Sequence, residues 1–142
     1  MCRHLLKNVY LGLFLIAAAV LSLSSAAGAG PLTIRVNSAA AGDMNDFKQT
    51  IVLSLAVRNT SSREYIRRLN YVEAEVIGDT GRGIETYKRR VDVNCSFNPP
   101  LGPGDSKKVT ARFTRRVNPN KGWYRFRDVK VRVHRASFSR AR

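Results

Sequence analysis

Covalent chemistry needs a nucleophile with a base, or a set of metal ligands, and this chain offers few candidates for either. Past its first 29 residues it holds one histidine, His134, and one cysteine, Cys95. Acyl transfer of the serine type needs a histidine base beside a hydroxyl, but His134 falls near the end of a strand pattern, where an imidazole tip is ordinarily solvated or half-buried. A metal centre needs several converging ligands, and Cys95 with His134 do not make one. Asp43-Met44-Asn45-Asp46 offers loop oxygens to calcium without the ligand count of a dedicated site. Glu73 and Glu75 would stand ~7 Å apart on one strand face. Glycosidase carboxylates can have that separation, yet they flank a cleft; amid so much arginine the pair reads as salt-bridging surface. These residues point to a protein that is not an enzyme and uses no metal or cofactor.

Positive charge is what the chain has in quantity. It carries 25 Lys and Arg against 10 Asp and Glu, a net charge of +15. Such an excess favours negatively charged partners: an acidic protein, an anionic polysaccharide or a lipid surface. The pattern predicts where the charge lies. Lys108, Thr110, Arg112, Thr114 and Arg116 alternate with Val109, Ala111, Phe113 and Val117, so the cations face away from an apolar side. Lys130 and Arg132 likewise oppose Val129, Val131 and Val133, and Arg125 and Arg127 join them if a bulge near Arg127-Asp128 turns them outward. If the two strands are neighbours, these seven cations form a wall suited to paired oxygens on phosphate, sulfate or carboxylate. Trp123 and Tyr124 stand close enough to stack on sugar rings or bases. Cations on sheet edges also prevent edge-to-edge aggregation without binding anything. In the pairs Arg67-Arg68, Arg89-Arg90 and Arg115-Arg116, one member of each would point toward the core, which is tolerable at strand ends and edges.

The address comes from the first residues. Arg3, His4 and Lys7 precede an apolar run from Val9 to Leu23, and small residues follow through Ala27-Gly28-Ala29. That order is a secretory signal peptide over residues 1–29, cut after Ala29; the run is shorter than the ~20 residues that span a bilayer. A retained anchor is the alternative. Residues 30–142 then form one exported domain, periplasmic or secreted, with a short basic C-terminal tail and no membrane span. Nucleic acid has the right sign for it but usually the wrong compartment. Cys2 leaves with the leader, so Cys95 has no internal partner and is either a small core residue or the half of an intermolecular disulfide in a dimer. One unpaired cysteine fits a bacterial periplasmic protein better than a small animal secreted domain.

The elements that must position these residues read as strands. Ile51, Leu53, Leu55 and Val57 share one face between Thr50 and Asn59, and Val72, Ala74 and Val76 share one between Leu69 and Ile77. The Gly78–Gly83 segment looks like a hairpin turn, returning through Ile84–Val93. Asn98–Asp105, rich in proline and glycine, reads as a loop. Strands follow over Ser106–Val117 and Trp123–His134. Leu32–Asn37 reads as a short edge strand, and Asp43 as the opening of one helical turn. The fold class is therefore all-β: an antiparallel immunoglobulin-like sandwich of six or seven strands behind a signal-peptide helix.

Three stretches carry a resemblance: Val57-Arg58-Asn59-Thr60-Ser61 closing a valine-rich strand, the Gly78-Asp79 turn, and Leu101-Gly102-Pro103-Gly104-Asp105 leading into an alternating strand. Over Ile51–Arg135 the chain resembles the immunoglobulin-like domains of bacterial exported proteins, particularly the FxLyD type. Ala74-Glu75-Val76-Ile77-Gly78-Asp79 stands where that family has its aromatic-leucine-tyrosine-aspartate pattern. The resemblance implies a non-catalytic extracytoplasmic interaction or accessory domain. The runner-up role is a structural subunit of a larger exported complex.

Overall fold

The computed structural model describes residues 27–142, so residues 1–26 of the expected leader and its helix lie outside the described residues. Seven strands run in chain order: β1 (Ala27–Ala29), β2 (Leu32–Asn45), β3 (Lys48–Asn59), β4 (Ile66–Asp79), β5 (Ile84–Leu101), β6 (Ser106–Arg116) and β7 (Asp128–Arg140). They make two antiparallel sheets, ordered β1-β2-β3-β6 and β5-β4-β7. A single 3-10 turn, Pro119–Lys121, is the one helical element among the described residues, and none there is long and apolar enough to cross a membrane.

Period-two alternation builds the interior. Ile51, Leu53, Leu55 and Val57 of β3 face Val72, Ala74 and Val76 of β4 and Val129, Val131 and Val133 of β7, all in one buried cluster. Each such valine, leucine or isoleucine fully withdrawn from water contributes about 1.5–3 kcal/mol, which suits a domain with no disulfide among the described residues. The sheets draw together along their margins, β2 toward β7 and β5 toward β6. The β3–β4, β5–β6 and β6–β7 connections all cross from one sheet to the other, so β6 returns beside β3 and β7 beside β4.

Four elements depart from what the sequence suggested. β2 continues to Asn45 with no helical turn at Asp43, because Ala39 and Ala41 pair with Leu53 and Ile51 on the inner face of β3. β5 continues to Leu101 through Pro99 and Pro100; it is a sheet margin, where a missing backbone donor is tolerated, and a register shift absorbs the prolines. Trp123–Arg127 is loop rather than strand. It follows the Pro119–Lys121 turn and Gly122 at φ 76°. The bulge expected near Arg127-Asp128 lies instead opposite Glu73/Ala74, between Val133 and Arg135.

Two buried amides fasten the ends of β3. Asn59 donates to the carbonyls of Glu64 and Leu101 and accepts from Ser61 N, tying the β3–β4 connection to the loop before β6. Gln49 does the equivalent work at the other end, where the candidate site lies.

Candidate anion-binding cleft

Three connections meet at the Gln49 end: the β2–β3 turn, the β4–β5 turn and the β6–β7 loop. Gln49 is 1% exposed. Its amide accepts from Phe126 N and donates to Phe126 O, fixing the loop that carries Arg125 and Arg127. The Phe126 ring fills the space above Gly78, where an added Cβ would come within 2.2 Å of it. Arg127 N donates to Asp79 O, and its guanidinium lies against the Gly81 backbone, 2.4 Å from where a Cβ would stand. Gly81 also sits at φ 76°. The turn therefore requires glycine there both for backbone conformation and for the arginine's passage.

The result is a cleft of about 380 Å³ lined by Arg82, Arg125, Arg127, Tyr124, Thr80 and Met44, among others. None of its three arginines has a carboxylate within 4.0 Å among the described residues. Arg82 stacks 4.5 Å over the Tyr124 ring and donates to its hydroxyl. That leaves one Tyr124 face occupied by the protein itself. Trp123 is 46% exposed, with Lys121 Nζ 5.6 Å from its ring.

Beneath the cleft lies a polar layer between the sheets. Arg115 points inward from β6, stacks 3.7 Å over Phe126, donates to Tyr124 O and pairs with Glu85 at 2.7 Å. Tyr87 Oη and Arg89 Nε are buried nearby without hydrogen-bond partners. Burial raises the Tyr87 pKa, and the charges of Arg115 and Arg89 offset part of that rise. Arg115 and Arg89 are thus the inward members of two of the Arg-Arg pairs; Arg67 and Arg68 are both exposed beside a register shift.

The single cationic wall does not form. Lys108, Arg112 and Arg116 are exposed on β6 in the first sheet, whereas Lys130 and Arg132 are exposed on β7 in the second. Because β6 pairs with β3 and β7 with β4, the two rows lie on different sheets. On β4, Glu75 stands opposite both Lys88 and Arg132, and Glu73 opposite Arg90 and Arg135. Glu75 reaches Arg132 and His134 at 4.0 Å, so it serves as salt-bridging surface, whereas Glu73 makes no ion pair within 4.0 Å among the described residues. Arg112, with Arg89, Arg90 and Thr114, also lines a groove of about 280 Å³ between the sheet margins, but there Arg90 is held by Asp92 at 3.1 Å and stacks on Tyr71. Of the seven anticipated cations, Arg125 and Arg127 reach the cleft. Arg82 was not anticipated, since a glycine turn carries no periodic signal.

Cys95 is half-buried on β5 opposite Leu69, packed against the core as a free thiol. No cluster of three or more His, Cys, Asp or Glu side chains could hold a metal ion among the described residues. The fold and cleft define an all-β, two-sheet protein with an arginine-lined opening at one end. No protein-family model, curated protein or solved structure matches the chain.

Proposed function

We propose that this chain is an exported, non-catalytic immunoglobulin-like accessory domain that docks an acidic protein partner at its arginine-lined end. The observation that carries this reading is the convergence of Arg82, Arg125 and Arg127, unneutralised, in one concave cleft. Guanidinium forks in a partly enclosed site accept carboxylates in bidentate geometry. A second feature favours a protein over a glycan or a lipid surface. Phe47 and Trp123, at 73 and 46% exposure, lie on the connections of this same end, and Ile84 and Met44, at 65 and 40%, lie on the strand ends beside them. Arginine and large apolar side chains together are the composition of protein interfaces.

Phe47 adds to the case. It stands at φ 58° beside Asp46 at φ 48°, a left-handed conformation that costs an L-residue with a large side chain about 1–2 kcal/mol. Asp46 and Phe47 are the two central residues of the hairpin between β2 and β3, where a tight two-residue turn calls for positive φ at both, so the turn holds this exposed ring at the arginine-lined end. The immunoglobulin-like assignment rests on the strand pairings. β3 with β6 and β4 with β7 correspond to the B–E and C–F partners of such sandwiches, in keeping with the FxLyD resemblance.

The test is retention of envelope proteins by the immobilised protein at low and high salt, with dextran sulfate and anionic vesicles as parallel arms. Stoichiometric retention of an acidic protein, lost with Arg125→Glu/Arg127→Glu, is the expected result. Retention indifferent to that reversal, or binding to the polyanion or vesicles alone, overturns the reading.

A further inference from the structure

β5 and β6 lie side by side as end strands of different sheets, with no ladder between them. β1 sits at the opposite margin of the β6 sheet. The groove of about 280 Å³ between β5 and β6 has a floor and two rims. Strand alternation sends Arg89, Val91 and Phe113 inward to form the floor. It leaves Arg112 and Thr114 exposed on the β6 rim, and Arg90 and Asp92 exposed on the β5 rim.

Charge in this groove is unbalanced. Three arginines against one aspartate leave it at +2, and the aspartate is already engaged: Asp92 pairs with Arg90 at 3.1 Å. Arg89 and Arg112 have no carboxylate within 4.0 Å among the described residues. Arg89 is the more demanding of the two. Its guanidinium lies 5.1 Å over the buried Phe113 ring, and its Nε is buried without an acceptor. A buried charged donor is costly until something accepts from it. Stacking on the ring fixes the guanidinium while its in-plane donors stay available to an anion.

We propose that this groove is a binding site for one tetrahedral oxyanion, phosphate or sulfate, held between Arg89 on the floor and Arg112 and Thr114 on the rim. Its volume falls just below the ~300–1,000 Å³ of sites for drug-sized ligands, so it suits an ion or a single terminal group. The excess positive charge matches an anion of about −2. The donors come from the floor and from one rim, hence from more than one plane. Four tetrahedral oxygens can accept from all of them, whereas the two coplanar oxygens of a carboxylate cannot. The bound anion ties β5 to β6, joining the sheets at a margin where no backbone ladder does. The chemistry is the same for a free ion and for a phosphate that ends a larger molecule. No residue lines both this groove and the cleft, and the proposal does not depend on a protein docking there.

The experiment is isothermal titration calorimetry of the protein as recovered from its cells, with thermal unfolding alongside, at an ionic strength fixed with sodium chloride. The probes are inorganic phosphate, sulfate, glycerol 3-phosphate and acetate. Phosphate and sulfate should bind saturably and raise the melting temperature as the site fills; acetate should bind about tenfold more weakly or worse. Arg112→Gln changes an exposed side chain, so the variant should fold as wild type does. It should weaken phosphate binding about tenfold or more, the loss of one charged hydrogen-bonding partner. Arg89→Lys keeps the charge without the fork and should do the same. Arg125→Glu/Arg127→Glu should retain the groove's binding. Glycerol 3-phosphate binding as tightly as phosphate would assign the site to the terminal group of a larger molecule, and its exclusion to the free ion; both uphold the site. Absence of saturable binding above chloride, acetate equal to phosphate, affinity unchanged in Arg112→Gln, or binding lost with the cleft pair would each overturn the proposal.

Discussion

Gln49 and Phe126, 77 residues apart in sequence, are joined by two hydrogen bonds of 2.8 Å between the side-chain amide of one and the peptide groups of the other. The amide substitutes for a strand partner. It satisfies a backbone N–H and C=O that the irregular β6–β7 loop would otherwise bury unpaired, and so sets where Arg125 and Arg127 emerge. Phe126 answers from the other direction, its ring seated over Gly78 and under Arg115. The cleft is therefore placed by buried groups that belong to the core.

Replacing the amide should show this dependence. Gln49→Leu keeps the bulk but strands two buried polar groups, at about 1–3 kcal/mol each. Urea unfolding should show a lower midpoint at unchanged slope, with the free energy reduced by roughly 2–6 kcal/mol. A shift within experimental error would mean that the Phe126 peptide finds water or another partner.

Gly78 should tolerate no side chain while Phe126 is present. An alanine Cβ would stand 2.2 Å from the ring, and forced overpacking costs about 1–3 kcal/mol. Gly78→Ala should lower the melting temperature, and adding Phe126→Leu should recover part of the loss. Strictly additive losses in the double variant would show that the two positions do not collide.

The strands were legible where a single strand carries its own pattern. Ile51–Val57, Val72–Val76 and Val129–Val133 alternate cleanly, and each alternation faces the interior as expected. The pairs Arg89-Arg90 and Arg115-Arg116 were legible too: alternation sends one member inward, and the structure stacks Arg89 on Phe113 and Arg115 on Phe126. What a one-dimensional pattern does not carry is which strands become neighbours. β6 and β7 are consecutive yet lie in different sheets, and that alone divides the anticipated cationic wall. The Trp123–Arg127 loop was misread as strand for a related reason. Phe126 turns inward toward Gln49 and Gly78, partners distant in sequence. β2 was read short because alanine and glycine carry almost no β signal; its length comes from pairing with β3.

Tyr87 should make the fold sensitive to strongly alkaline conditions. Burial raises its pKa above 10.0, so the folded state keeps a proton that the unfolded chain releases. Below the unfolded value both states are protonated and the contribution is constant. Above about pH 10, stability should fall with rising pH until the folded tyrosine also ionises. Tyr87→Phe removes the proton and with it this part of the slope. Unfolding midpoints measured from pH 8 to 11 should be flatter for the variant; parallel curves would assign the alkaline loss to other groups.

Phe47 separates stability from docking. Its left-handed backbone is a cost that glycine does not bear, and a ring 73% exposed contributes little to the core. Phe47→Gly should therefore raise the unfolding free energy by about 1 kcal/mol, the glycine's greater unfolded freedom offsetting part of the relief. If the ring is an anchor for a protein partner, the same substitution should weaken retention of that partner roughly tenfold, the loss of a moderate interface side chain. Thermal unfolding and binding measured on one preparation decide the matter. A variant that is more stable and binds as well as wild type would leave Phe47 as strain without a use at the interface, and the docking surface would reduce to its arginines.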